Sequence, residues 1–299
     1  MQFQSKKPYY EHLRKKWAAK HRSLQTNIWD KHKSALDWIG KNIPGRQLAL
    51  GSLSGLMLLT TPATNLSNSH LVAQGQEITS DTDNNILLAG KLKEVMPKEI
   101  GVLTPEEEES IGKLLSEGVG MPVSAELQGI RLNRSYGVMG GEQHLYRYPG
   151  DNLYKHADSV IDAAMYIPAG IAPRLGAWGY FALSEADFTE KDKMREKYYL
   201  AVQTFLAPGF VENVGKYRDF FKFRKMIVVN PETGQAVVAV IGDAGPAAWT
   251  GKHLGGSPEV MHYVGLANGP RKGPVLYFFV SDPKDILPLG PLRMKEFKL

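Results

Sequence analysis

Two apolar runs joined by one tight turn constrain this chain more than any other feature. KFRKMIVVN (residues 222–230) and QAVVAVI (residues 235–241) meet across Asn230-Pro-Glu-Thr-Gly234. Each run is too short for a stable helix and is rich in valine and isoleucine, which suit a pleated backbone. Asparagine, proline and glycine are turn residues, so the pair reads as a β-hairpin. Other strand candidates are GAWGYF (176–181), YYLAVQTFL (198–206) and GPVLYFFV (273–280). SPEVMHYVGL (257–266) reads as one short helix, with Ser257 as cap, Pro258 in the first turn and Gly265 at its end. Many short strands with one small helix imply a closed barrel, placed at residues 170–283, with 284–299 as a tail.

Residues 85–169 read as a small α+β segment. Thr104, Pro105 and the acids Glu106 to Glu109 form a strong helix start, and Gly118-Val-Gly120 ends the helix. AELQGIRLN (125–133) and EQHLYRY (142–148) alternate like strands, with SYGVMGG (135–141) as the turn between them. Residues 151–166 show helical apolar spacing. The fold class is therefore α+β, with a six-stranded barrel at the C-terminal side.

Charge is concentrated at one end. Residues 1–46 hold eleven Lys/Arg and three Asp/Glu, whereas the remainder holds 25 and 28. From Gln47 to Gln76 there is no charged residue, and QLALGSLSGLMLLTTPA (47–63) is its apolar heart. That segment is shorter than a comfortable membrane span and fits an export signal or an uncleaved anchor; a buried core helix is the competing reading. The basic flank predicts that residues 1–46 stay cytoplasmic while the body lies outside. Residues 64–84 are polar and read as a linker. Beside an apolar segment, the basic region is expected to serve membrane topology, with no nucleic-acid partner. The chain has no cysteine, which excludes disulfides, thiol catalysis and cysteine-bound zinc.

The run VVNPETGQAVVAVIGDAGPAAWTGKHLGGSPEVMHYVGL (228–266) resembles the double-psi β-barrel of rare lipoprotein A-like proteins and expansins. The matching elements are Val228-Val229-Asn230, Gly234, Asp243, Gly245-Pro246, Gly251-Lys252, Ser257 and Gly265. The resemblance makes GAWGYF the opening strand and GPVLYFFV the closing one. It implies an exported cell-envelope protein that binds or cleaves peptidoglycan-type glycan, with no cofactor. Two departures stand out. Gly255-Gly256-Ser257 replaces the family's Asp-Leu-Ser, and GKYRDFFKF (215–223) lacks the histidine of its lytic members.

Asp243, at the end of VVAVI, is the candidate catalytic acid. Ordinary glycosidases use two carboxylates. The lytic transglycosylases that the resemblance brings in use one, because a hydroxyl of the substrate replaces water. Such an acid must hold its proton near neutral pH, which apolar neighbours promote. Asp before Ala-Gly-Pro is equally a turn former. Gly242 and Gly245 offer close backbone approach to a glycan. Trp178, Tyr180, Tyr217 and Trp249 are candidate sugar-stacking faces, with a place in the core as the competing reading. GPAAWTGKH departs from a phosphate-binding loop in spacing and ends in His253. The eight histidines show no metal-ligand spacing, and His253 and His262 read as surface or helix residues. Three functional classes follow: a single-acid lytic transglycosylase, a non-catalytic expansin-like glycan-binding module, and a structural surface protein.

Overall fold

The computed structural model describes residues 84–295. The expected basic region 1–46, the signal or anchor segment 47–63, nearly all of the linker 64–84 and the last four residues lie outside the described residues.

In chain order the described part runs from helix α1 (residues 84–95) to α2 (Pro105–Val119), β1 (Val123–Ser124), β2 (Glu126–Leu127), β3 (Ile130–Arg131) and β4 (Tyr136–Gly141). Helices α3 (Val160–Tyr166) and α4 (Glu190–Lys197) then precede β5 (Tyr199–Val202) and α5 (Val214–Phe221). The chain continues through β6 (Lys225–Val229), β7 (Ala236–Ala244), β8 (Leu254–Gly256), α6 (Pro258–Tyr263), β9 (Lys272–Val280) and β10 (Gly290–Pro291). All described residues belong to one compact unit.

The hairpin forms as expected. β6 and β7 pair antiparallel from Lys225↔Val240 to Val229↔Ala236, and Asn230 at the turn donates from Nδ2 to the Val264 carbonyl at 2.9 Å. Six strands then close a ring in the order β4-β8-β5-β7-β6-β9 and back to β4. Two of the six pairings, β4 with β8 and β5 with β7, are parallel; the other four are antiparallel. Thr104 caps α2 with a reciprocal box to Glu107, and Ser257 caps α6 through the Val260 amide.

Both faces of the central strands are buried, which explains their unbroken apolar sequence. Met226, Val228, Val275, Tyr277 and Phe279 point into the ring, where they meet Leu200, Ile241 and the α5 residues Phe220 and Phe221. Their neighbours Ile227, Val229, Leu276, Phe278 and Val280 form an outer core with Leu88 and Leu92 of α1 and Ile111, Leu115 and Val119 of α2.

The barrel does not open where expected. Its first strand is β4, within SYGVMGG, the stretch read as a hairpin turn, so barrel strands begin ahead of residue 170. EQHLYRY forms no strand and makes a single bridge, His144 to Ile171. GAWGYF is a bent loop. The reason lies in the parallel β4/β8 pair, whose registered partners Gly140 and Gly255 are covered by long side chains. A Cβ on Gly140 would meet Lys252 Cδ at 2.2 Å, and one on Gly255 would meet Glu142 at 2.2 Å. Those two side chains form an ion pair, 2.6 Å long, over the glycines. A strand built around close approach looks like a turn in sequence. The helical spacing of 151–166 resolves into a short turn at Leu153–His156 and then α3, whose Val160 and Ile161 are exposed.

Candidate functional site

Asp243 sits near the end of β7, half-buried, opposite Ala201 of the parallel strand β5. Its Oδ1 accepts two backbone N–H bonds, from Ala177 at 2.6 Å and Ala244 at 2.7 Å. Oδ2 takes part in no hydrogen bond among the described residues. GAWGYF therefore acts as a strap across the strand end. Ala177 holds Asp243, and the Trp178 indole N–H donates to the Ile241 carbonyl at 3.0 Å. Arg218 braces the strap from α5 by donating to the Ala177 carbonyl at 3.3 Å. Leu145 Cδ1 and Asp243 Oδ1 border the same space, 3.3 Å and 3.4 Å from where a Gly176 Cβ would lie. Burial pushes the Asp243 pKa up from the ordinary aspartate value, and the two N–H donors pull against that rise.

The other expected site residues divide. Trp249 is 88% exposed on the turn that follows Gly245-Pro246, and Tyr180 is 40% exposed. Gly245 leaves open space: a Cβ there would meet nothing closer than the Ala201 Cβ, 3.9 Å away. Trp178 is packed against the inner core and its nitrogen is committed. Tyr217 is buried: its ring packs on Phe210 and Phe221 and its hydroxyl donates to the Pro208 carbonyl at 2.5 Å. Gly242 serves the fold, because a Cβ there would lie 2.6 Å from Tyr199 Cβ. His253 accepts the Val138 amide on Nδ1 at 2.9 Å, and His262 stacks edge-on against Tyr166. A cavity of about 470 Å³, lined by Arg195, Lys222, Phe223, Arg224 and Asp282 among others, does not include Asp243.

A second constellation was not legible in sequence. Arg147, Asp151, His156, Glu196 and His144 form one buried chain of polar contacts. Arg147 Nη2 bonds Asp151 at 2.7 Å, and His156 lies between Asp151 (Nε2 to Oδ2, 2.9 Å) and Glu196 (Nδ1 to Oε2, 3.1 Å). His144 Nδ1 reaches the other oxygen of Glu196 at 3.2 Å. Burial lowers the His156 pKa, but its bonds to the two carboxylates outweigh that and bring it to about 9. Glu259 of α6 is a further buried acid. Neither of its oxygens has a hydrogen-bond partner among the described residues, and burial, with the Glu196 charge, pushes its pKa to about 8. In sequence these residues are scattered through a loop, a charged helix and a helix cap, so no spacing rule gathers them. The one available signal was the pair His144 and His156 on either side of Asp151.

Comparison with protein families, curated proteins and solved structures finds no match to this chain.

Proposed function

We propose that the barrel is a double-psi barrel of the rare lipoprotein A-like or expansin-like kind, and that it acts on cell-wall glycan outside the cytoplasm. Asp243 is its single general acid, and the N-terminal segment is its signal or membrane anchor. The observation that carries this reading is the Asp243 carboxyl itself. One oxygen is fixed by two backbone amides, the other is unbonded among the described residues, and burial favours the protonated form. Because Oδ1 already accepts two N–H bonds, the acid proton belongs on Oδ2.

A single acid completes the chemistry without water. Oδ2–H protonates the departing glycosidic oxygen as the bond to the anomeric carbon breaks. The resulting carboxylate takes the proton from a hydroxyl of the same sugar as that oxygen closes on the anomeric carbon, which regenerates the acid. Trp249 and Tyr180 present faces on which sugar rings can stack.

The exposure of Trp249 also favours a second reading, a module that grips polysaccharide without cutting it. The full-length chain and its Asp243→Asn variant, incubated with purified peptidoglycan, separate the two. General acid catalysis contributes about 10²–10⁴-fold, so the variant should release soluble products at least 10²-fold more slowly while still sedimenting with insoluble wall. Equal release from both proteins removes Asp243 from the chemistry. Retained sedimentation with no release from either supports the binding module. Neither release nor sedimentation overturns both readings.

A further inference from the structure

The buried constellation around Glu196 lies apart from the Asp243 carboxyl and, among the described residues, meets that site only at Leu145, whose amide donates to Glu196 Oε1 at 3.1 Å. We propose that His144, His156 and Glu196 bind a divalent transition-metal ion of the zinc class, with Asp151 orienting His156 from behind.

Four observations carry the assignment. First, two imidazoles and a carboxylate are the donor set of many zinc sites, and here one ligand atom from each residue lies within 4.8 Å of the others. Second, the spacing suits an ion. Nδ1 of each histidine lies 3.1–3.2 Å from a Glu196 oxygen. The two nitrogens face different oxygens of Glu196, and the three ligand atoms lie within 4.8 Å of one another. A tetrahedral ion with bonds of about 2.0–2.1 Å separates its ligand atoms by about 3.3 Å, so the ligands draw together by up to about 1.5 Å around the ion. Third, an oriented outer shell is in place. His156 Nε2–H donates to Asp151 Oδ2, which leaves Nδ1 as the ligating nitrogen. Asp151 is itself held by the Arg147 guanidinium and by the amides of Arg147 and Asn152. Fourth, the His144 ring is fully buried and, among the described residues, its only polar contact is Glu196 through Nδ1, which commits that nitrogen to the cluster.

The ligands come from three separate parts of the chain. His144 follows β4, His156 ends the Leu153–His156 turn, and Glu196 lies in the last turn of α4. Without metal, Nδ1 of His156 needs a proton to face Glu196. The ion takes the place of that proton, so binding releases it.

The test uses the full-length chain, stripped by chelator and then titrated with zinc. One equivalent should bind, and Tm should rise with zinc concentration. His144→Gln and His156→Gln should each abolish stoichiometric binding. Asp151→Asn should weaken it about 10–100-fold. His253→Gln, outside the cluster, should bind as the wild type does. Because the ligand variants disturb a buried network, X-ray absorption at the zinc edge of the loaded wild type decides the question without them. A nitrogen/oxygen shell with the scattering of two imidazoles supports the site. No stoichiometric zinc, zinc without imidazole ligands, or equal binding by wild type and the His144→Gln/His156→Gln double variant overturns it.

Discussion

At Asp243, burial and hydrogen bonding pull the carboxyl in opposite directions, and burial is the larger effect. The folded protein therefore holds the proton more tightly than the unfolded chain, whose aspartates titrate near about 3.9. The stability that this proton confers is fully present below the unfolded value and is lost as pH rises through the folded one. Asparagine keeps both N–H bonds to Oδ1 and never ionises. The Tm advantage of Asp243→Asn over the wild type should therefore grow as pH rises from acid to neutral, read from thermal melts over a pH series. A pH-independent difference would show that the carboxylate is solvated rather than buried. Under the proposed function, glycan release by the wild type should fall over the same interval, because only the acid form donates a proton. The residue itself was legible, since an acid placed between an apolar strand and a Gly-Pro turn is a visible anomaly. Its strap was not, because Ala177 contributes a backbone amide, and any residue but proline has one.

Among the elements, the β6–β7 hairpin shows how local chemistry and long-range contact combine. Gly234 adopts φ +71°, and its N–H closes the turn on the Asn230 carbonyl at 2.8 Å. Pro231 has no N–H to spend, so the turn uses what proline and glycine supply. Asn230 does more than turn the chain. Its Oδ1 accepts the Glu232 amide at 3.0 Å, and its Nδ2 donates to the Val264 carbonyl beyond the end of α6. Asn230→Ala should therefore cost about 1–3 kcal/mol, the penalty for leaving a buried acceptor unpartnered, measured by urea denaturation. Asn230→Asp, which keeps the turn bond and loses the donor, should not recover that loss; full recovery would show that only the local turn matters.

At the scale of the whole molecule, β6 and β9 carry two cores at once, one inside the ring and one beneath α1 and α2. Phe278 and Phe279 are sequence neighbours that face opposite cores. Truncating either to alanine should cost about 3–5 kcal/mol, and each variant should unfold the described body in a single transition, because the strands that hold one core also hold the other. An early, separate loss of helical signal in Phe278→Ala alone would mean that α1 and α2 are a detachable layer.

The strands β6, β7 and β9, the capped helices α2 and α6 and the turn at Asn230–Gly234 followed from sequence, because each rests on neighbours in the chain: side-chain alternation, a cap, a glycine with positive φ. The strands β4 and β8 did not. Their glycines answer to Glu142 and Lys252, residues brought over them only when the ring closes. The same holds for Tyr217, which the sequence offers as a flat face and the fold turns inward. It holds most for His144, His156 and Glu196, which lie up to 52 residues apart in the chain and come within hydrogen-bond reach only when the segment after β4 folds back onto α4. Local propensity is written in adjacent residues, whereas a polar site is a convergence in space, and only the tertiary fold supplies it.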